Sequence, residues 1–227
     1  MNVYVFYTEN MEAYVELLQE SVKRISYIRI IPLLYQDSHN HVNPGDTHDQ
    51  NYMNLMVKRW EIHTDNVKDN LGKNIVILDS DCVFNPNHQD FCPIIEKNLQ
   101  ENDFCFQFDS NNSMSCNVNM GFSAVKCSHK TLSFYETWLT LIKNKPNSER
   151  IAGFPQLEWN NLLKENSEIK FKILPECFGY NNKDCRFYHA LGQDKLRKLK
   201  MAFFSFKKTY EQNIMKSLLE KQKTENY

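Results

Sequence analysis

Asn74-Ile75-Val76-Ile77-Leu78-Asp79-Ser80-Asp81-Cys82-Val83-Phe84, residues 74–84, decides the fold of this chain. A buried-type apolar run, Ile75–Leu78, ends in two carboxylates spaced one apart. A strand alternates its side chains with period two, so Asp79 and Asp81 leave the backbone on one side where the strand stops. Two hard oxygen ligands at the carboxyl end of a strand can hold a divalent metal, and a metal there can hold phosphates.

Outward from this stretch, strand and helix patterns alternate. Val3–Tyr7 reads as a first strand. Glu12–Arg24 carries Tyr14, Val15, Leu17, Leu18 and Val22 at helical spacing. Ile28–Tyr35 reads as a second strand, with Pro32 marking an edge or a bend. Residues 36–50 are polar and turn-rich, a loop. Its His39, His41 and His48 lack structured metal-ligand spacing, so a mobile polar loop is expected, with a lid or an acceptor contact as the alternative. Asn51–Asn66 is expected to be a helix with Tyr52, Leu55, Met56 and Ile62 on its inner face. Downstream, helices are expected over Phe91–Gln100, Leu132–Lys143, Gln156–Lys164 and the tail from Lys195. Strands are expected over Phe104–Phe108, Val118–Val125 and Phe171–Leu174. The alternation predicts an α/β protein with a mostly parallel, doubly wound sheet and helices on both faces. Ligands of such sheets sit beyond the carboxyl ends of the strands, where Thr8 and the Asp79–Asp81 pair fall. Residues 1–200 are expected to form one domain, with 201–227 a helical tail packed on it.

Composition narrows the class. The 227 residues suffice for a full core, and 41% hydrophobic content fits an ordinary globular chain. With 27 basic against 28 acidic residues, nothing global points to nucleic acid. No apolar stretch is long enough to span a bilayer, and the N-terminus lacks the pattern of a signal peptide. The seven cysteines form no C-x-x-C pair, which argues against a zinc ribbon or a disulfide framework and for free thiols in a reducing compartment. The expected location is the cytosol, of bacterial or viral origin, and Asn111-Asn112-Ser113 is then a chance glycosylation sequon.

Two enzyme classes use such a strand end. Read as D-x-D-x-V, residues 79–83 resemble the nucleophile motif of haloacid-dehalogenase-like phosphatases, in which Asp79 would attack phosphorus. That family also needs a downstream acidic pair, and the one Gly-Asp-x-x-Asp match, Gly45–Asp49, lies upstream. Read as D-x-D, the motif resembles that of GT-A glycosyltransferases, whose carboxylates bind manganese bridging the phosphates of a nucleotide-sugar.

Residues 189–195, His189-Ala190-Leu191-Gly192-Gln193-Asp194-Lys195, form H-x-x-G-x-x-K, which resembles the C-terminal motif of the retaining, glycogenin-like glycosyltransferases of family 8. That family continues with Pro-Trp where this chain has Leu196-Arg197. Asn119-Met120-Gly121-Phe122 resembles the N-x-G strand entry of families 8 and 77. Gln156, Trp159 and Asn160 match the D-Q-x-x-[LF]-N segment of the same families, with Pro155 in place of its Asp. Lys58 lies on the helix before D-x-D, where these families place a basic residue toward the donor phosphates.

The resemblance implies a metal-dependent transfer of a hexose from a nucleotide diphosphate-sugar, UDP-glucose or a similar UDP-hexose, to a hydroxyl of a glycan acceptor, with retention. It implies Mn2+, or Mg2+, on Asp79, Asp81 and His189. Lys58, Lys195 and the backbone at Gly192 would hold the diphosphate, with Ser80 among the donor-binding residues and Tyr7 and Thr8 at uracil and ribose. Asp109, Asn119 and Gly121 would line the sugar, with Gln156 on its reactive face; Gln156 and Asp109 are the catalytic candidates. A third reading is a catalytically idle sugar-nucleotide-binding protein, for which Pro155 argues. The tail interleaves Lys195, Arg197, Lys198, Lys200, Lys207 and Lys208 with Phe203, Phe204 and Phe206. It reads either as a helix packing its Phe face on the domain or as a weak contact with an anionic membrane surface.

Overall fold

A computed structural model of the chain describes residues 1–36, 50–108, 118–150, 153–175, 178–179, 185–190 and 194–225. Asp109, Gly192, the loop histidines and the sequon at 111–113 lie outside the described residues.

The elements run β1 (Asn2–Tyr7), α1 (Glu12–Val22), β2 (Arg29–Leu34), α2 (Gln50–Asp69), β3 (Asn74–Leu78) and β4 (Cys82–Phe84). They continue with α3 (Phe91–Glu101), β5 (Phe104–Phe108), β6 (Val118–Lys126), α4 (His129–Asn144) and α5 (Phe154–Glu165). The last are β7 (Phe171–Ile173), β8 (Phe178–Gly179), β9 (Phe187–His189) and α6 (Lys195–Glu225). Six strands form one sheet in the order β2-β1-β3-β6-β5-β7. β1 runs parallel to β2 and β3, and β5 parallel to β7, while β6 is antiparallel to both its neighbours. The sheet is mostly parallel, as the alternation predicts, with one strand reversed. Only residues 109–117 separate β5 from β6, and a parallel crossover takes roughly a dozen residues or more. β2 lies at the sheet edge, where the missing N–H of Pro32 costs no ladder bond on the open side.

The period-two alternation of β3 builds two cores. Ile75 and Ile77 join Tyr4, Phe104 and Phe106 on one face, under α2, α4 and α5. Val76 and Leu78 join Val3, Val5 and Cys105 on the other, under α1 and α3. The first core is aromatic: Trp138 lies 4.7 Å from Trp159 and 4.9 Å from Trp60, both edge to face. Such contacts add about 0.5–1.5 kcal/mol each beyond the area they bury.

Local signals fix the helix starts. Ser128 and Thr131 exchange side-chain and backbone hydrogen bonds as a capping box, so α4 begins earlier than its apolar pattern suggests. Gly153, at φ 74°, precedes α5, and Pro155 is tolerated in its first turn.

The inner face of α2 differs from the expected one. Met53, Leu55, Val57, Trp60 and Val67 are buried, while Tyr52, Met56 and Ile62 are only partly so. The large Trp60 is drawn into the aromatic core and sets the helix rotation. Tyr52, Met56 and Arg59 are thereby turned toward the end of β3.

A small second sheet, β4-β9-β8, holds the C-terminal segment against the strand end. α6 then runs unbroken across the expected junction at residue 200. Leu199 and Phe206 are buried with Val83, Cys185 and Ala190, whereas Phe204 is 62% exposed and residues 211–218 lie open to solvent.

Candidate active site

Asp79 and Asp81 follow directly on β3. The backbone N–H of Asp79 donates to the carbonyl of Gly121 on β6 at 2.8 Å, and the carbonyl of Asp81 accepts from Ala190 at 2.9 Å. In the antiparallel β4–β9 ladder Cys82 stands opposite His189, which brings the imidazole to the carboxylates. His189 Nε2 lies 3.2 Å from Asp81 Oδ1 and 3.7 Å from Asp79 Oδ2. Neighbouring ligands on an octahedral ion with bonds of roughly 2.0–2.1 Å stand about 3 Å apart, the spacing of His189 Nε2 and Asp81 Oδ1, so this pair fits a small divalent cation, with Asp79 Oδ2 standing farther out. The other ring nitrogen, Nδ1, is 3.1 Å from Oε1 of the buried Gln107. Gly121 completes the seat. A Cβ there would overlap Cε1 of His189 and stand 2.8 Å from Asp79 Oδ2.

Cations surround the carboxylates. Arg59 pairs with Asp79, and Lys195 with Asp81. Burial alone would raise the Asp81 carboxyl, but the charges of His189 and Lys195 outweigh it and hold the group far below its ordinary value. Burial likewise opposes the charged forms of His189 and Lys195, yet the carboxylates raise both. Among the described residues the mutually close cluster of possible ligands is Asp81, Cys82 and His189, and Asp79 stands outside it. Burial and the two carboxylates push the Cys82 thiol well up.

Two lobes meet at this point, both lined by Tyr52, Met56, Arg59, Asp79 and Lys195. The first, of about 150 Å³, opens over the end of β1, past Phe6, Tyr7, Thr8, Asn10 and Ser80. The second, of about 240 Å³, lies against Asn119, Met120, Gly121, Pro155, Gln156 and His189. Asn119 Oδ1 accepts from the N–H of Gly121 at 2.7 Å, and Gln156 Oε1 from Met120 at 3.1 Å, so both amides brace β6.

The structure thus brings together Tyr7, Thr8, Ser80, Asp79, Asp81, Asn119, Gly121, Gln156, His189 and Lys195. It does not bring in Lys58. The Lys58 ammonium pairs with Glu61 at 2.8 Å and is half exposed, away from both lobes; Arg59 stands in the cleft instead. One residue along a helix turns the side chain by about 100°, which separates the two. The helical phase of Tyr52, Met56 and Arg59 was the signal for it. Gln107 had none, because its contact depends on β9, far away in sequence. Glu158, near the missing Asp, is held by Lys145 at 2.6 Å and does not line the second lobe.

The family model for nucleotide-diphospho-sugar transferases matches residues 31–190. No curated protein matches the chain in sequence. Among solved structures, a glycosyltransferase involved in glycosylation of the major capsid of PBCV-1 superposes with a TM-score of 0.58 at 15% identity, over 88% of this chain and 97% of that one. The apo form of the glycosyltransferase GlyE from Streptococcus pneumoniae TIGR4 gives 0.61 at 12% identity, over 93% of this chain and 63% of that one. The galactosyltransferase LgtC, in complex with donor and acceptor sugar analogs, gives 0.54 at 12% identity, over 90% and 96%. The fold is that of GT-A glycosyltransferases, and the phosphatase reading of Asp79 falls away. The chain belongs to the nucleotide-diphospho-sugar transferase family and is a glycosyltransferase.

Proposed function

We propose that the cleft takes a UDP-hexose and, with Mn2+ or Mg2+ held by Asp79, Asp81 and His189, transfers the hexose to a hydroxyl of a glycan acceptor. The observation that carries this reading is the approach of His189 Nε2 to both carboxylates, 3.2 Å from Asp81 and 3.7 Å from Asp79, where the two lobes meet. The first lobe, with Phe6, Tyr7 and Thr8, offers aromatic surface and a hydroxyl to a base and its ribose. Arg59 and Lys195 stand at the junction, where a diphosphate bridging the lobes would lie. The second lobe receives the hexose, with Asn119, Gly121 and Gln156 along it, and Asp109 and Gly192 belong to the same proposed site.

A bound divalent ion supplies Lewis-acid charge to the leaving diphosphate. Arg59 and Lys195 add fixed positive charge at the same place, so charge stabilisation is the main catalytic contribution of the chain. Among the described residues Asp79 is the one carboxylate lining the second lobe, and it is committed to Arg59. Retention of configuration is proposed from the resemblance to family 8.

The enzyme is proposed to work in the cytosol; no helix among the described residues is long and apolar enough to cross a membrane. The exposed Met201, Phe204, Met215 and Leu218 of α6, beside Lys200, Lys207, Lys208 and Lys216, are proposed to touch an anionic membrane surface weakly. Absence of co-sedimentation with anionic vesicles at low salt removes that contact.

The function is tested by incubating the chain with a panel of UDP-hexoses and Mn2+ and following UDP release with glycan acceptors. Release is expected from at least one donor and is lost in Asp81→Ala and His189→Ala. Metal-dependent UDP binding without release from any donor would favour the idle binding protein.

A further inference from the structure

We infer that Gln107 is a positioning residue for the metal site: its side-chain oxygen holds the Nδ1–H tautomer of His189 and turns the Nε2 lone pair to the carboxylates. The inference rests on the reading of Asp79, Asp81 and His189 as metal ligands.

Gln107 is fully buried on β5, a strand otherwise made of Phe104, Cys105, Phe106 and Phe108. A buried amide in such surroundings costs free energy unless it is hydrogen-bonded, and an apolar residue would serve the strand better. Its oxygen lies 3.1 Å from His189 Nδ1. That oxygen is an acceptor, so Nδ1 carries the proton and donates. A neutral imidazole has one N–H, and the nitrogen that bears it cannot ligate. With the proton held at Nδ1, Nε2 is left free on the side of Asp79 and Asp81.

A break in the sheet sets up this contact. The β5–β6 pairing passes from Phe106 opposite Ser123 to Gln107 opposite Asn119, so Met120, Gly121 and Phe122 bulge out of register. Bulges re-aim side chains beside functional sites. The same bulge places Gly121 against Cε1 of His189, the carbon between the two nitrogens. The ring is thus held at Cε1 by Gly121, at Nδ1 by Gln107 and at Nε2 by the carboxylates. Outer partners that fix a ligating histidine in this way are typically worth roughly 10- to 100-fold in metal affinity.

The test measures Mn2+ affinity in the presence of UDP for the wild type, Gln107→Met and Gln107→Glu, together with the 15N resonances of His189 in the Mg2+–UDP complex. Gln107→Met keeps the length of the side chain and removes the acceptor; Mn2+ binding is expected to weaken roughly 10- to 100-fold. Gln107→Glu keeps an acceptor oxygen and is expected to stay within a few-fold of the wild type. In the wild type the resonances are expected to show a protonated Nδ1 and an unprotonated Nε2, a readout that needs no variant to fold. Unchanged Mn2+ affinity in Gln107→Met, or the opposite tautomer in the wild type, overturns the inference while leaving the metal site standing. A wild type that binds UDP but no Mn2+ overturns the metal reading and this inference with it.

Discussion

Arg59 on α2 pairs with Asp79 at the end of β3, and the pair stands where the two lobes of the cleft meet. This carboxylate, a proposed metal ligand, is thus neutralised by the protein's own cation, as Asp81 is by Lys195. A diphosphate would draw Arg59 and Lys195, and a divalent ion would take their place on the carboxylates. Replacing Arg59 by Ala is expected to weaken UDP binding roughly 10- to 100-fold, the worth of about 1.5–3 kcal/mol for a hydrogen bond to a charged group. Lys58→Ala, which loses only a half-exposed pair with Glu61, is expected to bind UDP within about twofold of the wild type. Calorimetry of the two variants side by side decides between neighbouring basic residues.

Gly121→Ala introduces a methyl group where the His189 ring and Asp79 Oδ2 already stand. One of them must move, and overpacking of this kind costs about 1–3 kcal/mol. The variant is expected to melt a few degrees lower and to lose metal-dependent UDP binding even at temperatures where it is fully folded. Thermal melts with and without UDP and Mn2+ separate the two effects: the wild type gains stability from the ligands and the variant gains none.

His63 is fully buried between Trp60, at 5.3 Å, and Phe6, at 6.4 Å, and neither ring nitrogen has a hydrogen-bond partner among the described residues. Burial, assisted by the charge of Arg59, holds its pKa well below the ordinary 6.5. Below pH 6.5 the unfolded chain therefore binds a proton at this residue that the folded chain refuses. The stability from the neutral ring is fully present above pH 6.5 and is lost as the pH falls toward the folded value, by about 1.4 kcal/mol per pH unit. His63→Phe keeps the aromatic contacts and removes the titration. The melting temperature of the variant relative to the wild type is expected to rise steadily from pH 7 to pH 5; a constant difference would show that His63 is not buried and neutral.

The fold was legible because its signals are long and redundant. β3 is apolar on both faces and ends in charge, and helix and strand periods alternate around it. The small β4–β9 ladder was not legible, since strands of three residues carry almost no pattern. That ladder nevertheless decides where His189 goes. The H-x-x-G-x-x-K spacing named His189 and Lys195 without saying what they would touch. On α2 the apolar pattern was read one stripe away from the face that Trp60 buries, while Lys58 rested on the family resemblance alone, one residue from the Arg59 that the helix turns into the cleft. Gln107 was invisible in sequence because a bulge and a distant strand create its contact. Pro155 was legible as a departure, and its ring lines the second lobe without supplying the carboxylate that the resemblance leads one to expect.

The central claim is that Asp79, Asp81 and His189 form one metal site that serves the diphosphate of the donor. The most direct measurement is calorimetric titration of UDP into the chain with and without Mn2+, repeated for His189→Ala. The account predicts that Mn2+ tightens UDP binding by roughly 5- to 150-fold, that UDP tightens Mn2+ binding by the same factor, and that His189→Ala abolishes the coupling. UDP affinity that is indifferent to Mn2+ in the wild type, or coupling that survives in His189→Ala, would contradict it.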